Sequence, residues 1–364
     1  MKCFKSIALT MFLSVFFGTA FFVSAQTPPD SLNPESFLSQ LLGGSTSTST
    51  EDALKNLLKQ QDDIRNSGAS IAFDPEFPGP TETVEVRLTS YSFDVNSSYI
   101  TWVRNGKTVL SGRGEGAYRF VTGDVGAREI ITLSAVSLDG KEFTTSKIFY
   151  VGSLDLVWTA KTAIPPEFKG KALASPRSQV MVTAFPRFVI GGKTISPSSL
   201  YYDWILDDAP QTSKSGYGKR TLSFYTSVAT GAEHQITLKA YNSDKSVVSQ
   251  KSITLTTRDP EVLIYEEDPS GGPVMSRALR DFKMFAGEEK RFRVLPYFFS
   301  KNNGSDLEYS WTVDGKSAEP DKPADILWLK LTDDAAGQTN IGITVSNLKN
   351  IVQRALSAFV INIL

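Results

Sequence analysis

Ser98-Tyr99-Ile100-Thr101-Trp102-Val103-Arg104-Asn105-Gly106-Lys107 decides the fold, because the same pattern is written twice more. The second copy is Leu200-Tyr201-Tyr202-Asp203-Trp204-Ile205-Leu206-Asp207-Asp208, and the third is Leu307-Glu308-Tyr309-Ser310-Trp311-Thr312-Val313-Asp314-Gly315-Lys316. The copies recur roughly every 100 residues, too far apart for solenoid repeats and about the length of one β-sandwich. Within each, Tyr, Trp and the aliphatic residue after it alternate with polar positions, as a half-buried strand requires. Asn105-Gly106 and Asp314-Gly315 then supply the positive-φ turn of a hairpin. In the middle copy Asp207-Asp208-Ala209-Pro210 stands in that place.

Further strands surround each copy. A glycine-containing turn follows (Gly112 to Gly116; Gly216 to Gly218), then an aromatic strand (Tyr118-Arg119-Phe120; Leu222-Ser223-Phe224; Leu327-Trp328-Leu329). A β-branched strand comes next, over residues 129–136, 235–241 and 340–346, and a closing strand over 146–151, 252–257 and 357–363. Strand signals broken by turns at this spacing predict an all-β chain of three tandem sandwiches. The expected domains are residues 69–152, 153–258 and 259–364, with junctions near Gly152-Ser153 and Arg258-Asp259-Pro260. Junctions this short predict a semi-rigid rod.

The N-terminal part differs. Residues 1–25 combine Lys2 and Lys5 with the apolar run Ile7 to Val23 and the small-residue pattern Val23-Ser24-Ala25. That is the pattern of a cleaved signal peptide, and the competing reading is a retained membrane anchor. Residues 26–68 read as a flexible stalk: a Gly/Ser/Thr tract from Gly43 to Thr50 separates two short amphipathic helical patterns, too short to be stable alone. The only cysteine, Cys3, lies within the signal, so the mature chain has no disulfide or cysteine–metal chemistry.

Composition narrows the function. With 38 basic and 39 acidic side chains the formal net charge is -1, which supplies no field for concentrating nucleic acid. His234 is the one histidine and has no nucleophile motif near it, so it reads as an exposed turn residue. The acidic pairs Asp62-Asp63, Asp207-Asp208, Glu266-Glu267 and Asp333-Asp334 lack the ligand spacing of a calcium loop and read as solvated turns. No cofactor and no metal are expected. Asn96-Ser97-Ser98 and Asn303-Gly304-Ser305 fit the glycosylation pattern.

The aromatic residues divide into two groups. Tyr99, Trp102, Tyr202, Trp204, Tyr309 and Trp311 recur at one strand and are expected to form the structural cores. Trp158, Trp328 and Phe298 lie outside the motif and are the candidate ligand-facing aromatics.

The Tyr-x-Trp strand, the Asp-Gly-Lys or Asn-Gly-Lys hairpin and the later Ile-Thr-Leu-x-Ala strand resemble the polycystic-kidney-disease (PKD) type of immunoglobulin-like domain of bacterial surface proteins. Residues 70–364 follow that pattern in three copies. Tyr265-Glu266-Glu267-Asp268-Pro269 and Pro296-Tyr297-Phe298-Phe299-Ser300 add a resemblance to exported envelope proteins of candidate-phylum bacteria. The resemblance implies an exported, non-enzymatic structural or adhesion protein of the cell envelope, cell surface or extracellular space. Its partners would be surface proteins or further copies of itself, with a carbohydrate-binding module as the alternative.

Overall fold

The computed structural model describes residues 68–301, 307–320 and 322–364. The signal segment, Cys3, nearly all of the stalk, Asp62-Asp63 and Asn303-Gly304-Ser305 lie outside the described residues. Apart from two single 3-10 turns, the regular structure described is strand. No described helix is long and apolar enough to cross a membrane.

The first sandwich contains β1 (Ala69–Asp74), β2 (Thr83–Ser90), β3 (Tyr99–Arg104), β4 (Lys107–Arg113), β5 (Ala117–Val121), β6 (Arg128–Val136) and β7 (Glu142–Tyr150). A sheet in the order β1-β2-β5 faces one in the order β4-β3-β6-β7. Alternation puts Val84, Val86 and Leu88 of β2 opposite Ile100 and Trp102 of β3 and Ile131, Leu133 and Ala135 of β6 in one core.

The second sandwich runs from β8 (Ser153–Ala160) and β9 (Gln179–Arg187) through the ribbon β10 (Val189–Ile190) and β11 (Lys193–Thr194). It continues with β12 (Tyr201–Leu206), β13 (Ala209–Pro210), β14 (Gly216–Tyr217), β15 (Thr221–Tyr225), β16 (Glu233–Tyr241) and β17 (Val248–Thr256). Its sheets are β15-β9-β8 and β13-β12-β16-β17, with β14 also pairing β12. Val180 and Val182 meet Tyr202, Trp204, Ile236 and Leu238 between them.

The third sandwich comprises β18 (Glu261–Asp268), β19 (Gly272–Pro273), β20 (Asp281–Met284), β21 (Glu289–Tyr297), β22 (Leu307–Val313), β23 (Lys316–Ala318), β24 (Ile326–Lys330), β25 (Gly337–Asn347) and β26 (Arg354–Ile363). Its sheets are β19-β18-β21-β24 and β20-β26-β25-β22-β23, with β20 running parallel to β26. Val262, Ile264, Phe292, Val294, Trp311, Ile343 and Phe359 form its core.

The repeated motif is one structural device built three times. Trp102, Trp204 and Trp311 are almost wholly enclosed, and each indole Nε1 donates to a backbone carbonyl beyond the following hairpin: Glu115 (2.8 Å), Lys219 (2.9 Å) and Ala324 (3.0 Å). The apolar body fills the core while its one polar atom is satisfied, which is why tryptophan suits this position.

Tyr99 departs from the expected core. It is 54% exposed, and Ile100 occupies the inward position with no exposure. Tyr99 stands three residues before Trp102, whereas Tyr202 and Tyr309 stand two before their tryptophans, and a one-residue offset turns a strand side chain to the opposite face. Tyr202 is enclosed and donates its hydroxyl to Pro197 O at 2.7 Å; Tyr309 packs half-buried against its core.

Candidate functional site

The residue that closes each motif strand is also reused. Asn105, Asp207 and Asp314 all have positive φ (50, 50 and 46°). Each backbone N–H donates across to the next long strand, at Ile130 O, Gln235 O and Asn340 O. Each side chain returns the bond, with Oδ1 accepting from the N–H of the same three residues at 2.9, 2.8 and 2.8 Å. Asn and Asp tolerate the left-handed conformation and carry an acceptor at this reach. The middle copy makes the hairpin turn without glycine: Asp208 holds φ 61° where the others have Gly106 and Gly315.

This geometry corrects the reading of His234 as an exposed turn residue and adds a role for Asp207. His234 is 7% exposed. Ser227 N–H donates to Nε2 at 3.1 Å, so the ring proton sits on Nδ1 and is donated to Asp207 Oδ2 at 2.7 Å. Both ring nitrogens are therefore engaged, and Asp207, an exposed turn residue as expected, also braces the strand through its carboxylate. In the first sandwich Glu129 precedes the corresponding strand position and accepts from Arg104, Asn105 and Gly123. Burial alone would raise its carboxyl, but Arg104 and these donors hold it below the ordinary glutamate range.

Glu266-Glu267, by contrast, is no turn. Both residues lie in β18, where Glu267 accepts two bonds from Arg293 (2.8 and 2.7 Å) and Glu266 accepts one from Lys290 (2.9 Å). Among the described residues no three His, Cys, Asp or Glu side chains gather as metal ligands.

The three candidate ligand-facing aromatics occupy three different environments. Trp158 on β8 is half-buried against the second core, and the Lys171 ammonium lies over its ring at 3.2 Å, so its outer face is covered. Burial pushes the Lys171 ammonium below the ordinary lysine range. Trp328 is open: it is 47% exposed on β24, an end strand of its sheet, with the Arg291 guanidinium 4.8 Å from its ring. Glu289, Glu319, Pro320 and Lys330 complete a shallow hollow of about 530 Å³ around it.

Phe298 is not a free surface residue. It is 6% exposed and packs against Phe168 and Tyr297 at ring distances of 5.9 and 6.0 Å. The cause is backbone pairing between the second and third sandwiches. Phe298 N donates to Ala163 O and Ala163 N to Phe299 O, both at 2.6 Å, and Lys301 N donates to Lys161 O at 2.9 Å. The ladder draws Phe298 under the 161–170 segment.

A polar cluster continues this junction. Gln353 Oε1 accepts from Ser300 N (2.8 Å), Ser300 Oγ (3.0 Å) and Asn347 Nδ2 (3.0 Å). Its Nε2 donates to Ser175 Oγ and Pro176 O, both at 2.8 Å, and Asn350 Nδ2 donates to Pro176 O at 3.0 Å. Ser175, Ser300, Asn347, Asn350 and Gln353 are all buried. Nothing in the local pattern of Gln353 signals this role; Ser175 and Pro176 lie more than a domain away in sequence.

The first junction is made differently. Tyr150 N donates to Ser246 O at 2.9 Å, and Gly152 lies so close to the second sandwich that a Cβ there would come within 2.8 Å of the Phe188 ring and 2.9 Å of Val247. Glycine permits the chain to pass this contact.

No family model matches the chain, and no curated protein matches it. Solved structures resemble it in fold. The three N-terminal domains of the bacteriophage RB49 highly immunogenic outer capsid protein are 11% identical, over 81% of this chain and 98% of that one, with a TM-score of 0.24. The central fibronectin-III array of RIM-binding protein is 12% identical, over 78% and 93%, with a TM-score of 0.28. A Bacteroides ovatus protein, SGBP-B, solved with a mixed-linkage heptasaccharide, is 12% identical, over 82% and 71%, with a TM-score of 0.20. Likenesses at these scores carry no argument about function, and the assignment to tandem immunoglobulin-like sandwiches rests on the sheets and cores themselves.

Proposed function

We propose that this chain is an exported, non-catalytic structural or adhesion protein of the cell envelope or cell surface, which presents three PKD-type immunoglobulin-like domains to protein partners. The domains are residues 69–152, 153–258 and 259–364. The observation that carries the reading is the buried Gln353 cluster with its backbone ladder, which holds neighbouring sandwiches in register. An array fixed in this way keeps its loops and end strands at set positions, the property a scaffold or adhesin needs. The engaged state of His234 supports the non-catalytic part, because neither ring nitrogen is available as a base. The apolar run and small-residue pattern of residues 1–25 support export.

The test is to express the full chain in a bacterial host and follow it by fractionation and N-terminal sequencing. Export with a mature end at Gln26 and surface display is the expected result; retention in the cytoplasm, or turnover by the purified protein in a broad hydrolase screen, overturns the reading.

A carbohydrate-binding role is the second reading, favoured by the open ring of Trp328 beside Glu289, Glu319 and Lys330. Stacking of a sugar on that face predicts saturable glycan-array binding that Trp328→Ala abolishes.

A further inference from the structure

The first and second sandwiches enclose a crevice of about 230 Å³ that belongs to none of the surfaces described above. Phe73 of β1, Phe77 and Phe149 of β7 form the wall on the first sandwich, and Lys239 of β16, Lys245 and Val248 of β17 form the facing wall. Lys147 of β7 joins the two other lysines, and Glu76 is the one acid in the lining.

Each ammonium group in this crevice faces an aromatic ring. Lys147 Nζ lies 4.5 Å from the Phe73 centroid, Lys239 Nζ 4.1 Å from Phe77, and Lys245 Nζ 5.3 Å from Tyr241. Among the described residues none of the three has a carboxylate at ion-pair distance, although seven other lysines and arginines do. Lys147 is exposed as a residue, with its ammonium set against the Phe73 ring. Desolvation is the largest influence and lowers its proton affinity; Glu76 opposes this, and Lys239 adds to it by repulsion. Lys147 and Lys239 repel each other against low-polarity walls, and an added carboxylate would relieve that repulsion, with Lys245 at the same lining.

We propose that this crevice binds an acidic side chain of an extended segment of a partner protein. The proposal names the partner chemistry for the interaction reading and rests on it. Size and backbone favour a peptide. The volume suits one side chain and lies below the range of about 300–1,000 Å³ typical of small-molecule pockets. Two contributing strands, β7 and β17, are end strands of their sheets, and beyond the Tyr150–Ser246 bond that joins their ends they leave edge backbone groups for an extended chain.

The experiment is calorimetric titration of the full chain at low salt with capped hexaglutamate, with capped hexaglutamine and with an oligoglucuronate of equal charge. Hexaglutamate is expected to bind saturably and to weaken with added salt, whereas hexaglutamine does not bind. Lys147→Gln and Lys239→Gln should each weaken binding about tenfold, a loss of about 1.4 kcal/mol, while Lys147→Arg restores it and the distant Lys316→Gln has no effect. Thermal melts of each variant separate a lost site from a lost fold. Unchanged binding in both glutamine variants, stronger binding of the glucuronate, or no hexaglutamate binding overturns the proposal. If the chain is nevertheless exported and displayed, the interaction reading stands without this site; a chain retained in the cytoplasm overturns the interaction reading instead.

Discussion

Gln353 Nε2 donates to Ser175 Oγ at 2.8 Å, and both residues are completely shielded from solvent although they belong to different sandwiches. A buried amide with both ends engaged fixes one arrangement, because any slip of one sandwich against the other strands several polar groups at once.

Gln353→Ala should therefore cost about 2–3 kcal/mol, the scale of leaving buried donors and acceptors such as Ser300 N–H unpaired. In urea denaturation followed by tryptophan fluorescence, the second and third sandwiches should then unfold in separate transitions. A single transition at the wild-type midpoint would show that the cluster does not couple them.

The three core tryptophans should rank alike. Trp204→Ala is expected to cost about 3–5 kcal/mol, as for other large buried aromatics, and Trp204→Phe less. The phenylalanine variant still leaves Lys219 O without its donor. Trp102 and Trp311 should follow the same order, measured by chemical denaturation.

The hairpin of the middle motif can be improved. Asp208 adopts φ 61° where its counterparts are glycine, so Asp208→Gly should raise the melting temperature, corresponding to a gain on the order of 0.5–1 kcal/mol. Asp207→Ala should do the opposite, by about 1–2 kcal/mol, because it removes the acceptor for Gln235 N–H and the partner of His234 while keeping a positive φ.

Alkali should unfold the second and third sandwiches before the first. Burial pushes the hydroxyls of Tyr202 and Tyr309 up to about 12. A phenol titrating near 10 when unfolded but higher when folded lends stability that is complete below pH of about 10 and lost as pH rises toward 12. The first sandwich has Ile100 at this place and lacks the effect. Phenolate absorbance should show a late-titrating class appearing together with loss of near-ultraviolet circular dichroism, reduced by Tyr202→Phe. Titration of all 12 tyrosines near pH 10 with native dichroism retained would contradict this.

Trp102, Trp204 and Trp311, the Asn or Asp that ends each motif strand and the alternation of β6, β16 and β25 were legible in the sequence, because strand periodicity and turn chemistry are local and the repeat prints them three times. Tyr99 was misread since a one-residue offset reverses a strand face, and only pairing with β6 and β4 sets which residue points inward. His234 and Phe298 took their burial from partners distant in sequence, Asp207 in one case and Ala163 in the other. The junction of Gln353 with Ser175 and the meeting of Lys147, Lys239 and Lys245 were decided by tertiary structure alone. Their residues carry no mutual pattern along the chain, and hydrogen bonds and charge convergence across sandwiches exist only once each sheet has fixed its edges in space.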